Sequence, residues 1–201
     1  MKPIIMSTED VRALLDGRKT MMRMPIKPQP EFVQAHVWGG KVLYEGANRT
    51  WCWKQRVSPD CWNEIDWLEQ FAPYRPGDAL YVRETWRVGA WNDEGSICVD
   101  YKADGFARRE WLKISDCDLY EELWQQSSDD AREANATIDG DGNYTWMIGQ
   151  APTRWRSPVT MPREAARLFL RVKDVRVERN EDNGQWIWVI EFERIEKGVE
   201  S

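Results

Sequence analysis

The chain has 201 residues and a mass of 23.7 kDa, a length that favours one elaborated domain. Its formal net charge of −6 and pI near 5.0 weigh against a protein that coats nucleic acid, because that binding mode needs a basic surface. No apolar run approaches the roughly 20 residues that cross a bilayer, so we expect no membrane span and no membrane partner.

The first elements are predicted from capping residues, glycines and a proline that mark their ends. The start, MKPIIMSTED, has no signal-peptide core, which predicts a cytoplasmic protein. The stretch STEDVRALLDG predicts a short helix that is capped by Ser7 or Thr8 and ended by Gly17. Lys19 to Pro25 then predicts a strand, which the proline closes. Residues 32 to 45 predict a hairpin, because their Gly-Gly pair suits a tight turn.

The middle of the chain predicts alternating strands and helices. NEIDWLEQFA has the pattern of a short helix, and PGDALYVRETW predicts a turn followed by a strand whose buried side carries Leu80 and Val82. SICVDYKADG predicts a second strand. DLYEELWQQ predicts a helix, and the polar tract SSDDAREANATIDGDGN that follows is typical of a loop.

The C-terminal third has the strongest strand signals. RLFLRVKDVRVERN and QWIWVIEFERI predict two long strands joined across Asn183 and Gly184. The fold class is therefore α+β, mainly strands with a few helices, and the close spacing of the strands favours a small, partly open β-barrel. Thirteen tryptophans supply much of the core, and a few could serve as exposed platforms for a base or a partner protein.

The cysteines and the histidine argue against a metal site. Cys52, Cys61, Cys98 and Cys117 are widely separated without a CxxC pair, and His36 is the only histidine. A structural zinc site usually shows two close pairs of ligands. We therefore expect free thiols, no metal and no cofactor.

Four stretches of the sequence together resemble a known family. They are helix-GRKT at 11 to 20, PGDALYVRETW at 76 to 86, VDYKADG at 99 to 105 and RWRSPVTMPREAARLFLRVKDVRVER at 154 to 179. In this order they resemble ASCH-domain proteins of the kind encoded by tailed phages and prophages, a branch of the PUA-like superfamily. The resemblance implies a single domain over residues 1 to 201, with insertions at about 31 to 72 and 104 to 150. It also implies a PUA-like barrel flanked by helices, the N-terminal helix leading into the GRKT strand, and residence in the host cytoplasm.

The resemblance also implies a ligand class and a chemistry. Members of the superfamily bind RNA, modified bases or nucleotides, and some small ASCH proteins hydrolyse the acetyl amide of 4-acetylcytidine. That chemistry uses a Lys two residues after the helix-ending Gly, a Thr three further on, and a Glu from a later helix. Gly17 and Lys19 match, but Met22 stands at the nucleophile position, Thr20 is offset by two residues, and VRVER runs into EDNGQW without the Glu segment. The resemblance therefore implies a degenerate catalytic motif.

The ligand-binding residues are expected in the same stretches. Arg83 and Glu84 alternate across a strand, so we expect Arg83 to support the binding side while Glu84 and Trp86 organise the barrel. The loop RWRSPVTMPR combines arginines with an aromatic ring, which suits base stacking and phosphate contact. The predicted binding residues are Gly17, Lys19, Arg23, Arg83, Arg154, Trp155, Arg156, Ser157 and Arg163.

Three functions remain open on the sequence. The leading one is a binder of a nucleotide or nucleic-acid element with a degenerate catalytic motif. The second is an amidohydrolase on 4-acetylcytidine or a related nucleoside, with Lys19 as base and Thr20 as nucleophile. The third is a phage factor that binds a host protein through exposed tryptophans and an acidic face. Phosphate contacts weaken steeply with salt whereas an apolar interface does not, so salt dependence separates the first from the third.

Overall fold

The structure is a computed structural model that describes residues 1–27, 29, 41–45, 51–58, 61–67 and 72–196. It confirms the α+β class. The helices are α1 (Thr8–Leu15) and α2 (Cys117–Glu133), with two 3-10 helices, Pro158–Thr160 and Arg163–Ala165. The strands are β1 (Lys2–Ile5), β2 (Met21–Pro25), β3 (Lys41–Glu45), β4 (Trp51–Ser58), β5 (Cys61–Trp67), β6 (Ala79–Arg83), β7 (Trp86–Asn92), β8 (Ser96–Tyr101), β9 (Ala107–Lys113), β10 (Thr137–Ile138), β11 (Tyr144–Thr145), β12 (Phe169–Arg179) and β13 (Trp186–Ile195). Neither helix has the length and apolarity that a membrane span needs, among the residues described.

The described strands form four sheets. Their orders are β1-β6-β12-β13-β2, β7-β8-β9, β3-β4-β5 and β10-β11. Strand β1 runs parallel to β6, with Lys2 opposite Leu80, whereas the other pairs with a resolved register are antiparallel. Each order has two free ends, so none of these sheets closes into a barrel over the described residues.

The chain divides into two compact units. The first consists of Met1–Lys19, Leu80–Leu170 and Ile195–Ser201, and the second of Thr20–Ala79 and Arg171–Arg194. The single domain expected over residues 1 to 201, with its two insertions, stays a prediction.

The N-terminal helix forms as its sequence predicts. The Ser7 side chain accepts a hydrogen bond of 3.1 Å from the backbone N–H of Asp10, which satisfies a donor at the helix start. At the other end Gly17 has φ +71°, a conformation that glycine adopts without strain. The backbone N–H groups of Arg18 and Lys19 then both donate to the carbonyl of Ala13. Ser7 is thus the cap that the sequence predicted.

The core of the first unit lies around the β7-β8-β9 sheet. All six residues of β8 are buried, so both faces of this strand are covered. The largest buried side chains include Trp86 and Tyr101, and the Tyr101 hydroxyl donates a hydrogen bond of 2.6 Å to the carbonyl of Ala165. Burial raises the pKa of Tyr101 to about 12. The other members of this apolar cluster are Val88, Ile97, Val99, Leu112, Ile114, Leu123, Met161 and Ala165.

The second unit contains the strand predicted after the first helix. Strand β2 begins at Met21, two residues later than predicted, and pairs with β13 so that Met22 lies opposite Ile190. Strands β12 and β13 confirm the two long C-terminal strands, and they are neighbours in their sheet. Their connection includes Gly184 at φ +69°. Of the hairpin predicted over 32 to 45, only 41–45 is described, as β3.

Two predicted elements are wrong. NEIDWLEQFA was expected to be a helix, but Asn63–Trp67 belongs to β5, which pairs with β4. Ile65 and Trp67 also alternate with Glu64 and Asp66, so the same residues fit a strand once a partner strand exists.

The tract that begins SSDDARE was expected to be a loop, yet residues 127–133 are the last two turns of α2. Leu123, Ser127, Asp130 and Ala131 form the buried stripe of this helix. Its two polar members are buried because arginines from another segment bind them. The sequence did not show an apolar helical stripe here, because two of the buried positions are polar residues that are hydrogen-bonded to arginines.

Gly89 gives a test of how closely β7 and β8 pack. It lies where the β7–β8 register shifts between Val88 and Ala90, and a Cβ there would overlap Nη1 of Arg109 and lie 2.7 Å from Oδ1 of Asp100. We expect Gly89→Ala to lower the free energy of unfolding by about 1–3 kcal/mol, the usual cost of overpacking a filled site. Chemical denaturation measures it.

The matched control is Gly140→Ala. A Cβ at Gly140 would meet nothing within 4 Å, so the same substitution should leave stability within about 0.5 kcal/mol of wild type. Equal stability of the two variants would contradict the close packing at Gly89.

Candidate functional site

Lys19 is held in an ion pair at the end of α1. Its Nζ lies 2.8 Å from Oδ1 of Asp10, and both side chains are largely covered. Burial acts to raise the pKa of Asp10, but the hydrogen bonds from Lys19 and Ser7 outweigh it and hold that pKa below its ordinary value. The pair ties Lys19 to the first turn of α1.

The residues that follow Lys19, from Thr20 to Met24, lie in the second unit. The Thr20 carbonyl accepts a hydrogen bond of 2.9 Å from the backbone N–H of Phe192, and the Thr20 side chain is exposed. Arg23 is exposed opposite Val189, while Met22 and Met24 are partly buried. Met22 and Met24 therefore lie on the covered face of β2, and Arg23 on the exposed face.

Arg83 and Glu84 have different environments, as their alternation predicted. Arg83 is partly buried, and its Nη1 donates a hydrogen bond of 3.1 Å to the carbonyl of Val159. Its guanidinium carbon also lies 5.6 Å from the ring centroid of Tyr81. Glu84, by contrast, is only 1% exposed. Arg83 is therefore fixed to the segment that follows Trp155, and Glu84 belongs to the core.

Arg167 neutralises Glu84 and a second carboxylate. Its guanidinium forms a fork of two 2.9 Å hydrogen bonds to Glu84 and another two, each 2.9 Å, to Asp104. The guanidinium carbon also stacks 4.1 Å from the ring centroid of Tyr101. Arg167 was not among the predicted binding residues, although it lies within the stretch 154 to 179.

Burial and ion pairing have opposing effects on the pKa values of the cluster formed by Glu84, Asp104 and Arg167. Burial raises the pKa of Glu84 above its ordinary value of 4.5, against the opposing effect of Arg167. For Asp104, burial is outweighed by the hydrogen bonds from Arg167 and from the backbone N–H of Phe106, which lower its pKa. Burial also opposes the charge of Arg167, yet its hydrogen bonds to both carboxylates raise its pKa. The cluster fixes the turn that carries Asp104.

Two predicted arginines of the RWRSPVTMPR loop bind helix α2. Asp130 accepts a hydrogen bond of 2.8 Å from the backbone N–H of Arg154 and another from its Nε. This contact raises the pKa of Arg154, whose side chain is 71% exposed. Arg156 donates to Gln126 and, at 3.4 Å, to Ser127, and burial lowers its pKa. Both residues anchor the loop to α2.

Trp155, between these arginines, faces other partners. The guanidinium carbon of Arg87 lies 4.5 Å from its ring centroid, and Nζ of Lys102 lies 5.9 Å from it. The residue is 39% exposed. Trp155 is therefore a surface aromatic flanked by two cations, an arrangement suited to stacking beside an anionic group. Trp155 was among the predicted binding residues, but Arg87 and Lys102 were not, although Lys102 lies in the stretch VDYKADG.

Arg87 is itself held by a buried carboxylate. Its Nε lies 3.1 Å from Oδ2 of Asp100, and Nη2 of Arg109 lies 2.8 Å from Oδ1 of the same group. Nη2 of Arg87 also donates a hydrogen bond of 2.6 Å to the carbonyl of Gly149. Two guanidinium groups therefore share one carboxylate, which leaves this part of an acidic chain locally positive.

The remaining predicted residues have local roles. The Ser157 hydroxyl accepts from the backbone N–H of Val159 and caps the 3-10 helix that begins at Pro158. Arg163 is exposed at the start of the second 3-10 helix. Lys19 is bound to Asp10 and Arg83 to the carbonyl of Val159, and a cleft shared by Lys19, Arg83 and the loop after Arg154 stays a prediction.

The cysteines and possible metal ligands give no centre in the described part of the chain. Cys98 is a buried free thiol and Cys117 an exposed one. Residues 1–27, 29 and 72–196, together with the shorter described strands, contain no group of three or more His, Cys, Asp or Glu side chains positioned to hold a metal ion.

Comparison with known proteins gives no relative. No protein-family model matches the chain, and no curated protein or solved structure matches it either. The ASCH-domain resemblance therefore stays a prediction.

The Glu84–Arg167 pair provides a stability test. Arg167→Met leaves a buried carboxylate without its cation, so we expect the free energy of unfolding to fall by about 3–5 kcal/mol. Arg18→Met, which removes an exposed pair with Asp16, is the control and should cost less than about 1 kcal/mol. Chemical denaturation at about pH 8 compares the two.

The pH dependence of the same variant has a defined sign. A carboxyl whose folded pKa exceeds its unfolded pKa destabilises the fold increasingly as pH rises through that interval. Loss of Arg167 raises the pKa of Glu84 further and also removes the stabilisation that Asp104 provides above its own unfolded pKa. The loss of free energy of unfolding in Arg167→Met, relative to wild type, should therefore be smaller at about pH 5 than at about pH 8. An equal deficit at both would contradict a paired, ionised Glu84.

Proposed function

We propose that this protein binds a nucleotide or a nucleic-acid element, with a base stacked against Trp155. The observation that carries the proposal is an exposed indole with a guanidinium 4.5 Å and an ammonium 5.9 Å from its ring centroid. Stacking of a base on an aromatic side chain contributes about 1–3 kcal/mol, and nearby cations attract the phosphate.

The local charge supports an anionic ligand. The chain as a whole carries −6 and repels a polyanion at long range, so attraction must come from a local site. Arg87 and Arg109 share one carboxylate, and Lys102 adds a further positive charge beside the ring. The surface around Trp155 meets this requirement.

The sequence resemblance supports the same ligand class. ASCH-domain and other PUA-like proteins bind RNA, modified bases or nucleotides, and we keep a PUA-like fold and a phage or prophage origin as parts of the proposal. The helix ended by Gly17 is followed by strand β2, which begins at Met21, directly after the GRKT stretch.

The proposed function is binding rather than catalysis. Lys19 as a general base would need a free lone pair, whereas its Nζ lies 2.8 Å from the Asp10 carboxylate. Met22 at the nucleophile position has no hydroxyl. Both observations favour a degenerate motif over an amidohydrolase.

A second candidate is a phage factor that binds a host protein. It is favoured by Trp111, which is 50% exposed, and by Trp124, which is 39% exposed on a helix with exposed acidic residues. Exposed aromatic residues are common anchors of protein interfaces.

Binding should depend on Trp155 and not on exposed indoles in general. We expect Trp155→Ala to weaken the binding of a labelled short RNA or DNA by about tenfold or more, the loss of one stacked base. Trp124→Ala is the matched control because both residues are 39% exposed, and it should bind like wild type. Fluorescence anisotropy of the labelled oligonucleotide at two salt concentrations measures the affinities.

The outcomes separate the two candidates. Binding that falls with salt and with Trp155→Ala supports the proposal. Absence of binding to RNA, DNA and free nucleotides, or equal binding by both variants, would exclude the Trp155 surface and favour the protein partner.

The enzyme alternative has its own test. We expect the purified protein to hydrolyse 4-acetylcytidine at least about a hundredfold more slowly than a relative with an intact motif, the scale of losing an essential group. Chromatographic detection of cytidine measures turnover. Rapid turnover that disappears in Lys19→Ala would make the amidohydrolase the better account.

A further inference from the structure

The cations around Trp155 differ in how far the protein already neutralises them. The Arg87 side chain is only 13% exposed and is bound to Asp100, which it shares with Arg109. Its Nη2 is bound to the carbonyl of Gly149. Arg87 therefore supports one side of the indole, but little of its guanidinium is left for a ligand.

Lys102 is exposed and has no carboxylate partner in the described part of the chain. Its backbone is nevertheless fixed, because its N–H donates a hydrogen bond of 3.0 Å to the carbonyl of Thr85. The turn that it begins is closed by a 2.9 Å hydrogen bond from Tyr101 to Phe106. The flexible side chain of Lys102 thus extends beside the ring from a backbone position that is held by a hydrogen bond.

The neighbouring arginines are paired. Arg154, next to Trp155 in the chain, is bound by Asp130. Arg167 holds Asp104 in the Lys102 turn and is bound by Glu84 as well. Of the two cations beside the Trp155 ring among the described residues, Arg87 is paired with Asp100 and Lys102 has no carboxylate partner.

We propose that the ligand of this surface presents one phosphate beside its base, with the base on Trp155 and the phosphate on Lys102. This inference rests on the proposed function and adds the ligand class. A second or third phosphate would meet no further unpaired cation at the ring and would be repelled by an acidic chain. The shared chemistry is a base joined to one phosphate, either a free 5′-monophosphate or one nucleotide unit of a strand.

The test is calorimetric titration of the full chain with a nucleoside and with its mono-, di- and triphosphate. The monophosphate should bind about tenfold more tightly than the nucleoside, the ratio typical of one charge-assisted contact. The di- and triphosphate should bind no more tightly than the monophosphate. The slope of log affinity against log salt for the monophosphate should be about −1, as for a single phosphate contact.

Substitution of Lys102 locates the phosphate. Lys102→Gln should reduce the affinity for the monophosphate to that for the nucleoside and leave the nucleoside affinity unchanged. Lys113→Gln, which removes another exposed lysine of the same unit, should bind both ligands like wild type. A dinucleoside monophosphate that binds at least as tightly as the free monophosphate identifies a strand as the source, and weaker binding identifies the free nucleotide.

The failures are distinguishable. Two results would overturn this inference alone: binding that requires Trp155 but strengthens with each added phosphate, or a monophosphate affinity that Lys102→Gln leaves unchanged. Failure of every ligand to bind, or binding that Trp155→Ala leaves unchanged, overturns the proposed function with it.

Discussion

The need to pair buried carboxylates with cations is the constraint on which the first unit depends. Among the described residues, Glu84, Asp100 and Asp130 are each less than 5% exposed, and an unpaired charge at such a site is strongly destabilising. Each is bound by an arginine from another segment. Glu84 joins the end of β6 to Arg167 before β12, Asp100 joins three adjacent strands, and Asp130 joins α2 to the loop at Arg154. These pairs join separate elements of the first unit.

The surface around Trp155 follows from the same pairs. Arg154 and Arg156 contact α2, so the indole between them contacts Arg87 and Lys102 instead. Asp100 fixes Arg87 against the ring, and the Asp104–Arg167 contact fixes the turn that carries Lys102. An acidic chain thereby presents a small cationic and aromatic surface, on which the proposed binding of a base and a phosphate rests.

Local sequence signals correctly predicted the elements whose local preference is the same as the structure that their tertiary contacts favour. Ser7 and Gly17 bound α1 because capping and a left-handed glycine are local properties. Strands β6, β8, β12 and β13 were predicted because their apolar runs are long or bounded by turns. NEIDWLEQFA failed because helix and strand patterns both fit it and pairing with β4 decided between them. The end of α2 failed because its buried stripe is polar, and the arginines that bury it lie more than twenty residues away.

The sequence by itself determined the α+β class and the first helix, and it predicted a binding role for the loop that carries Trp155, because these inferences depend on residue type and short-range spacing. It also singled out the arginines of that loop, but not what they bind. Only the tertiary structure decided that Arg154 and Arg156 anchor the loop, that Lys19 is paired with Asp10, and that Arg87 and Lys102 flank the indole. The physical reason is that a charged side chain takes its role from the partner it meets after folding, and residue type does not show which partner that is.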